Sequence, residues 1–96
     1  MAVSRLAIVF RRDVRDNTIV ACLPIFANTS GDMTVYSRVG QHGAGSLEWY
    51  RRCTVPVSEE SEYADLLQEL RGIYEVAGSI KLSVVKRLPS TRFWKG

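Results

Sequence analysis

The chain contains no apolar run near the ~20 residues that a membrane-spanning helix requires. Its clearest run, Leu6 to Phe10, is closed at once by Arg11 and Arg12. That stretch is also too short for the apolar part of an export signal. A cytoplasmic protein with no membrane partner is therefore expected. Cysteine is scarce: Cys22 and Cys53 lie 31 residues apart. Two cysteines cannot staple a coreless mini-domain, and they read as buried free thiols. There is one histidine, His42. With two distant cysteines it lacks the close ligand spacing of a structural zinc site, so neither a metal nor a cofactor is expected. No segment has the composition of a linker and no repeat is present. Residues 1–96 read as a single domain, with 90–96 a short flexible tail.

What is present is enough apolar content for one core. Hydrophobic residues make up 46% of the chain. The net charge of +3 is modest, but it is unevenly placed. Residues 58–78 hold six carboxylates against the single Arg71, a net of −5, while the rest of the chain holds twelve basic and four acidic residues, a net of +8. An acidic helix on a basic body follows. The acidic part needs only a solvated helix face; the basic part suits an acidic protein, a nucleotide or nucleic acid.

Periodicity orders the elements. Leu6, Ile8 and Phe10 share one face of a first strand. Asp13 to Asn17 is a turn, and Thr18 to Phe26 a second strand that Pro24 places at an edge or a bulge. A loop with Gly31 leads to a third strand, Met33 to Val39. A fourth runs from Leu47 to Val55, with Leu47, Trp49, Arg51, Cys53 and Val55 on one side. Ser58 is a candidate N-cap. Tyr63, Leu66, Leu67, Leu70, Ile73, Tyr74 and Ala77 follow with helical 3–4 spacing, and Gly78 is a candidate stop. Ser79 to Leu88 is a last strand. The order β-β-β-β-α-β predicts an α+β fold: an antiparallel sheet with one amphipathic helix packed on one face. An exposed edge, in the Pro24 strand or the first strand, could pair two subunits into a homodimer.

Between the third and fourth strands lies Val39-Gly40-Gln41-His42-Gly43-Ala44-Gly45-Ser46, with three of the seven glycines and the only histidine. It is not a P-loop, since no Lys precedes Ser46 and a strand is expected to follow. It is not the dinucleotide turn, which needs strand, turn and helix in order. Gly40-Gln41-His42-Gly43 spells a KH-type GXXG loop without that fold around it. What remains is a glycine-rich hairpin loop. Its main-chain N–H groups could converge on an anion. Gly40, Gln41, His42, Gly43, Gly45 and Ser46 are the candidate ligand-binding residues, with an anionic nucleotide as the ligand. The alternative is a plain turn with a solvated histidine. No nucleophile, base and orienting group stand at a spacing that demands catalysis, so no catalytic residue is assigned.

A second candidate surface combines charge and aromatic rings: Arg38, Arg51, Arg52, Trp49 and Tyr50, with Phe93 and Trp94 in the tail. Trp and Arg are frequent in binding hot spots. Stacking with positive charge also suits single-stranded nucleic acid, but alternate strand residues point to opposite faces, so each basic doublet offers one arginine to a surface. Protein contact is the preferred reading, nucleic acid the lesser one.

At Met33-Thr-Val-Tyr36, Val39-Gly-Gln-His-Gly43, Glu62-Tyr-Ala-Asp-Leu-Leu67, Glu69-Leu70 and Lys81-Leu-Ser-Val-Val-Lys-Arg87 the chain resembles small accessory proteins of bacterial phages and mobile elements. The resemblance spans residues 33–88, and the first 30 residues carry none of it. It implies a non-enzymatic protein of the bacterial cytoplasm that binds, and by binding inhibits, a host protein or defence complex.

Overall fold

A computed structural model of the chain describes residues 4–23, 32–37, 41–76, 78 and 80–86; of Ser4, Gln41 and His42 it describes the backbone alone. Its centre is a ten-residue strand, β1 (Ser4–Asp13). Alternation sends Leu6, Ile8 and Phe10 to one face of the sheet, and Val9 and Arg11 to the other. One side of β1 pairs antiparallel with β2 (Thr18–Leu23), Val9 opposite Cys22 through Asp13 opposite Thr18. Its other side is shared by two strands end to end. The short β5 (Thr54–Pro56) runs antiparallel along Arg11–Asp13, and β6 (Ile80–Val84) runs parallel along Ser4–Ile8. Beyond β2 lie β3 (Met33–Ser37) and then β4 (Gln41–Gly45), both antiparallel to their neighbours.

The expected α+β class, an antiparallel sheet with a helix on one face, is what forms. Two segments differ from expectation. Gln41–Gly45 is not a loop but strand β4, and residues 47–53 are not a strand but a helix, α1 (Leu47–Cys53). The last described strand, Ile80–Val84, runs parallel to β1. β1, paired on both sides, is not an edge. The Pro24 edge and the Gly31 turn fall outside the described residues.

The main helix, α2 (Glu60–Tyr74), covers one face of the sheet. It begins one residue later than an N-cap at Ser58 would give: Glu59 is the N-cap residue and makes no side-chain cap bond. Negative charge at Glu60 and Glu62 in the first turn suits the positive end of the helix dipole. Leu66, Leu67 and Leu70 are buried against Leu6, Ile8, Phe10, Ala21, Leu23 and Leu82. Ile73, expected in the same stripe, is 43% exposed, while Tyr74 beside it packs against the core. Polar contacts pin the helix. Tyr36 is fully buried and its hydroxyl donates to Glu69 Oε1 at 2.8 Å. Arg12 pairs with Glu62, and the rings of Phe10 and Tyr63 stack with centroids 4.2 Å apart. Past the helix, Glu75 Oε2 accepts the main-chain N–H of Leu82 at 2.6 Å, and Gly78 takes a left-handed φ of 75° where the chain turns into β6.

No described helix is long and apolar enough to cross a membrane. Leu70 sits at the middle of the α2 face with no exposure. Leu70→Ala is expected to cost about 2–5 kcal/mol of unfolding free energy. Denaturant titration would show this as a lower midpoint at an unchanged slope.

Candidate functional site

The second face of the sheet carries a smaller cluster: Val9, Val20, Cys22 and Met33, with Val35, Leu47, Trp49 and Tyr50 packed on it. The cover is α1. It starts because Ser46 caps it: the Ser46 hydroxyl accepts the N–H of Trp49 at 3.0 Å. Glu48 in the first turn and Arg51 and Arg52 in the last agree with the helix dipole. Seven residues make a weak helix alone, so tertiary contacts must hold it.

Those contacts converge on Asp13. This carboxylate is 5% exposed at the end of β1. Its Oδ1 accepts the main-chain N–H and the Nε of Arg15, both at 3.0 Å. Its Oδ2 accepts Arg15 Nη2 at 2.6 Å and the indole Nε1 of Trp49 at 3.1 Å. The Arg15 hydrogen bonds hold the Asp13 carboxyl well below the usual carboxylate range, against an opposing effect of burial. The same turn is tied to the end of α1, where Val14 N donates to Cys53 O at 2.8 Å. Beside it, Arg11 donates to Thr54 Oγ1 at 2.9 Å and to Thr54 O at 3.0 Å, and its guanidinium lies 4.2 Å from the centre of the Tyr50 ring. Partial burial raises the Tyr50 phenol pKa, and Arg11 opposes that shift.

Gly45 explains how Trp49 comes so close. A Cβ there would lie 2.7 and 2.8 Å from two Trp49 ring carbons and 2.8 Å from Val35 Cγ2. A Cβ at Gly43 would meet nothing within 4 Å. The two glycines therefore serve different ends: Gly45 is a packing residue, and Gly43 leaves space. That space is part of an open cleft of about 270 Å³ bordered by Asp13, Asp16, Thr18, Val20, Val35, Ser37 and Gly43. An apolar recess of about 280 Å³ lies at the other side of the sheet, among Phe10, Pro56, Val57, Tyr63, Val84 and Val85.

The structure thus redistributes the expected ligand-binding residues. Gln41, His42, Gly43 and Gly45 are consecutive positions of a strand, with His42 opposite Tyr36 in the register. Main-chain N–H groups converge on an anion when right- and left-handed residues alternate; Gln41–Gly45 is extended instead. Ser46 is a helix cap. Gly40 lies outside the described residues. Of the partner-binding residues, Trp49, Tyr50, Arg51 and Arg52 share α1, whereas Arg38, Phe93 and Trp94 lie outside the described residues. Trp49 and Tyr50 anchor the helix to the sheet, and Arg51 and Arg52 are exposed. Arg52 pairs weakly with Glu48 at 3.5 Å. Both cysteines are free. Cys22 is buried, and burial pushes its thiol up to about 12, which makes it a poor nucleophile. Cys53, expected to be buried, is half-buried because it ends α1.

Asp13, Arg15 and Thr54 are absent from the candidates read from sequence. Asp13 followed two residues later by Arg15 is a local signal; the 36-residue separation from Trp49 hid the rest. An α+β sheet with a helix on each face is the class these features define. Comparison of the chain with models of protein families, with curated proteins and with solved structures finds no match.

Two outcomes are expected. Gly45→Ala should lower stability by about 1–3 kcal/mol through forced displacement of Trp49, while Gly43→Ala stays within about 0.5 kcal/mol of the parent; thermal melts with tryptophan fluorescence check both. Asp13 has a folded-state pKa below its unfolded value, so its contribution is present above about pH 4 and is lost as pH falls from there. Asp13→Asn should therefore be less stable at neutral pH and show a shallower loss of stability below pH 4.

Proposed function

We propose that the chain is a non-enzymatic accessory domain of phage or mobile-element type that acts by binding a bacterial host protein complex, with inhibition of that complex as the result. The observation that carries this reading is the polarity of its two helix-covered faces. Over α2 the exposed carboxylates are Glu59, Glu60, Glu62, Asp65 and Glu69, with Arg71 the one exposed cation on the helix. Over α1 and the adjoining β1–β2 turn the exposed charges are Arg15, Arg51 and Arg52 against Asp16 of the turn and Glu48 of the helix, so this face is only weakly basic beside the strongly acidic one. Opposed fields of this kind orient a charged partner during approach and select against partners of the wrong sign. The resemblance at Val39–Gly43 and Lys81–Arg87 supplies the phage setting.

The α1 face is the contact surface in this reading, and an acidic protein patch is its complement. Arg51 and Arg52 point to solvent, so reversing their charge leaves the core intact. The tagged full chain should retain a stoichiometric protein partner from bacterial lysate. The double variant Arg51→Glu, Arg52→Glu should lose it while keeping the parent circular dichroism spectrum, with a melting temperature lowered only slightly by the unfavourable charge at the end of α1. Retention of the same partner by the folded double variant would overturn the assignment of this face. Capture of nucleic acid in place of a protein would overturn the reading itself.

A further inference from the structure

We propose that α1 is a strap that lifts from the sheet in the native state, uncovering Cys22 and the apolar cluster around it while the sheet and α2 stay folded. The path of the chain makes it a strap. The strand before it, β4, pairs with β3, and the strand after it, β5, pairs with β1. These two strands stand at opposite ends of the order β4-β3-β2-β1-β5, so α1 crosses the second face of the sheet to join them. Its ends are thus held by main-chain pairing. Its middle is held by Leu47, Trp49 and Tyr50, which pack on Val9, Val20, Cys22 and Met33.

That middle is weakly held. None of the seven α1 residues is fully buried, whereas α2 buries Leu66, Leu67 and Leu70. A helix of this length does not persist on its own propensity. Segments with few buried apolar contacts open at a free energy below that of global unfolding. Trp49 is the latch: its indole Nε1 donates to Asp13 Oδ2 at 3.1 Å, and its ring lies against Gly45. Lifting breaks that bond and the ring contacts, but no pairing of β1 with β2, β2 with β3 or β3 with β4. Asp13 keeps its three bonds from Arg15 when Trp49 leaves, so the carboxylate is not stranded. Cys22 reports the event. In the closed state it has no exposure, and burial pushes its thiol up to about 12. A covered and protonated thiol is inert, so it reacts only when the cover moves. The inference concerns the free chain and is separate from host binding.

Labelling of Cys22 by a soluble disulfide reagent tests it, in the full chain carrying Cys53→Ser so that one thiol remains. Where the rate is proportional to reagent concentration, it measures the open fraction. Labelling should run at least about tenfold faster than the unfolded fraction from denaturant titration allows, and should change little with denaturant well below the unfolding midpoint. Trp49→Phe keeps a ring but deletes the donor to Asp13; the rate should rise about tenfold, the worth of one hydrogen bond to a charged group. Gly45→Ala, which displaces the same ring from outside the helix, should raise it as well. Circular dichroism establishes that each variant is folded. Labelling of the Trp49-containing chain that follows global unfolding at every denaturant concentration would overturn the proposal. So would an unchanged rate in both folded variants, since the thiol is then reached by a route that does not pass through α1.

Discussion

The geometry of this domain depends on one buried carboxylate. Asp13 closes three separate pairings at once: it is the last residue of β1 to pair with β2, it stands opposite Thr54 of β5, and it receives the Trp49 indole from α1. Its remaining acceptor positions are filled by Arg15 from the same turn. A buried charge is tolerated when it is paired and fully hydrogen-bonded, and removal of one partner leaves the other groups unsatisfied. The turn, the short helix and the short strand therefore share one support. None of the three is long enough to hold its place alone, with seven residues in α1 and three in β5.

How much of this was legible in the sequence depended on the range of the interactions. β1, β2 and α2 were visible because their patterns are local: alternation in Leu6, Ile8 and Phe10, and helical spacing in Leu66, Leu67 and Leu70. The segment Leu47–Cys53 was misread because Leu47, Trp49 and Cys53 also alternate. The sign of a helix was there: Leu47, Tyr50 and Thr54 repeat at intervals of three and four, Ser46 is a good cap, and Arg51 would have had to face the core of a strand. The glycines at 43 and 45 suggested a loop because glycine usually marks one. Gly45 exists instead because a ring from four residues later packs against its backbone, an arrangement that composition does not reveal. Candidate residues moved accordingly. The aromatic pair Trp49 and Tyr50 became anchors, and the arginines that follow them stayed at the surface.

The two helices do unequal work. α2 buries three leucines and is fixed by Tyr36 of β3 and by Arg12 and Phe10 of β1. α1 buries no residue completely and relies on ring contacts, a cap and the Asp13 bond. Local opening should therefore begin at α1, since few buried apolar contacts mean low local stability. The face with the exposed arginines is thus also the more easily remodelled one, which suits a surface that adjusts to a partner.

The parallel pairing of β1 with β6 has a consequence for synthesis. Ser4 pairs with Ile80 and Ile8 with Val84, contacts that span about seventy-five residues. Loop-closure entropy must be met before contacts of this separation form, and they set the pace of folding. Until Ile80–Val84 has left the ribosome, Leu6 and Ile8 belong to an unfilled strand edge. The hairpin with β2 and the closure by β5 can assemble first, over the other half of β1. The nascent chain thus exposes an apolar half-strand until Ile80–Val84 arrives to cover it.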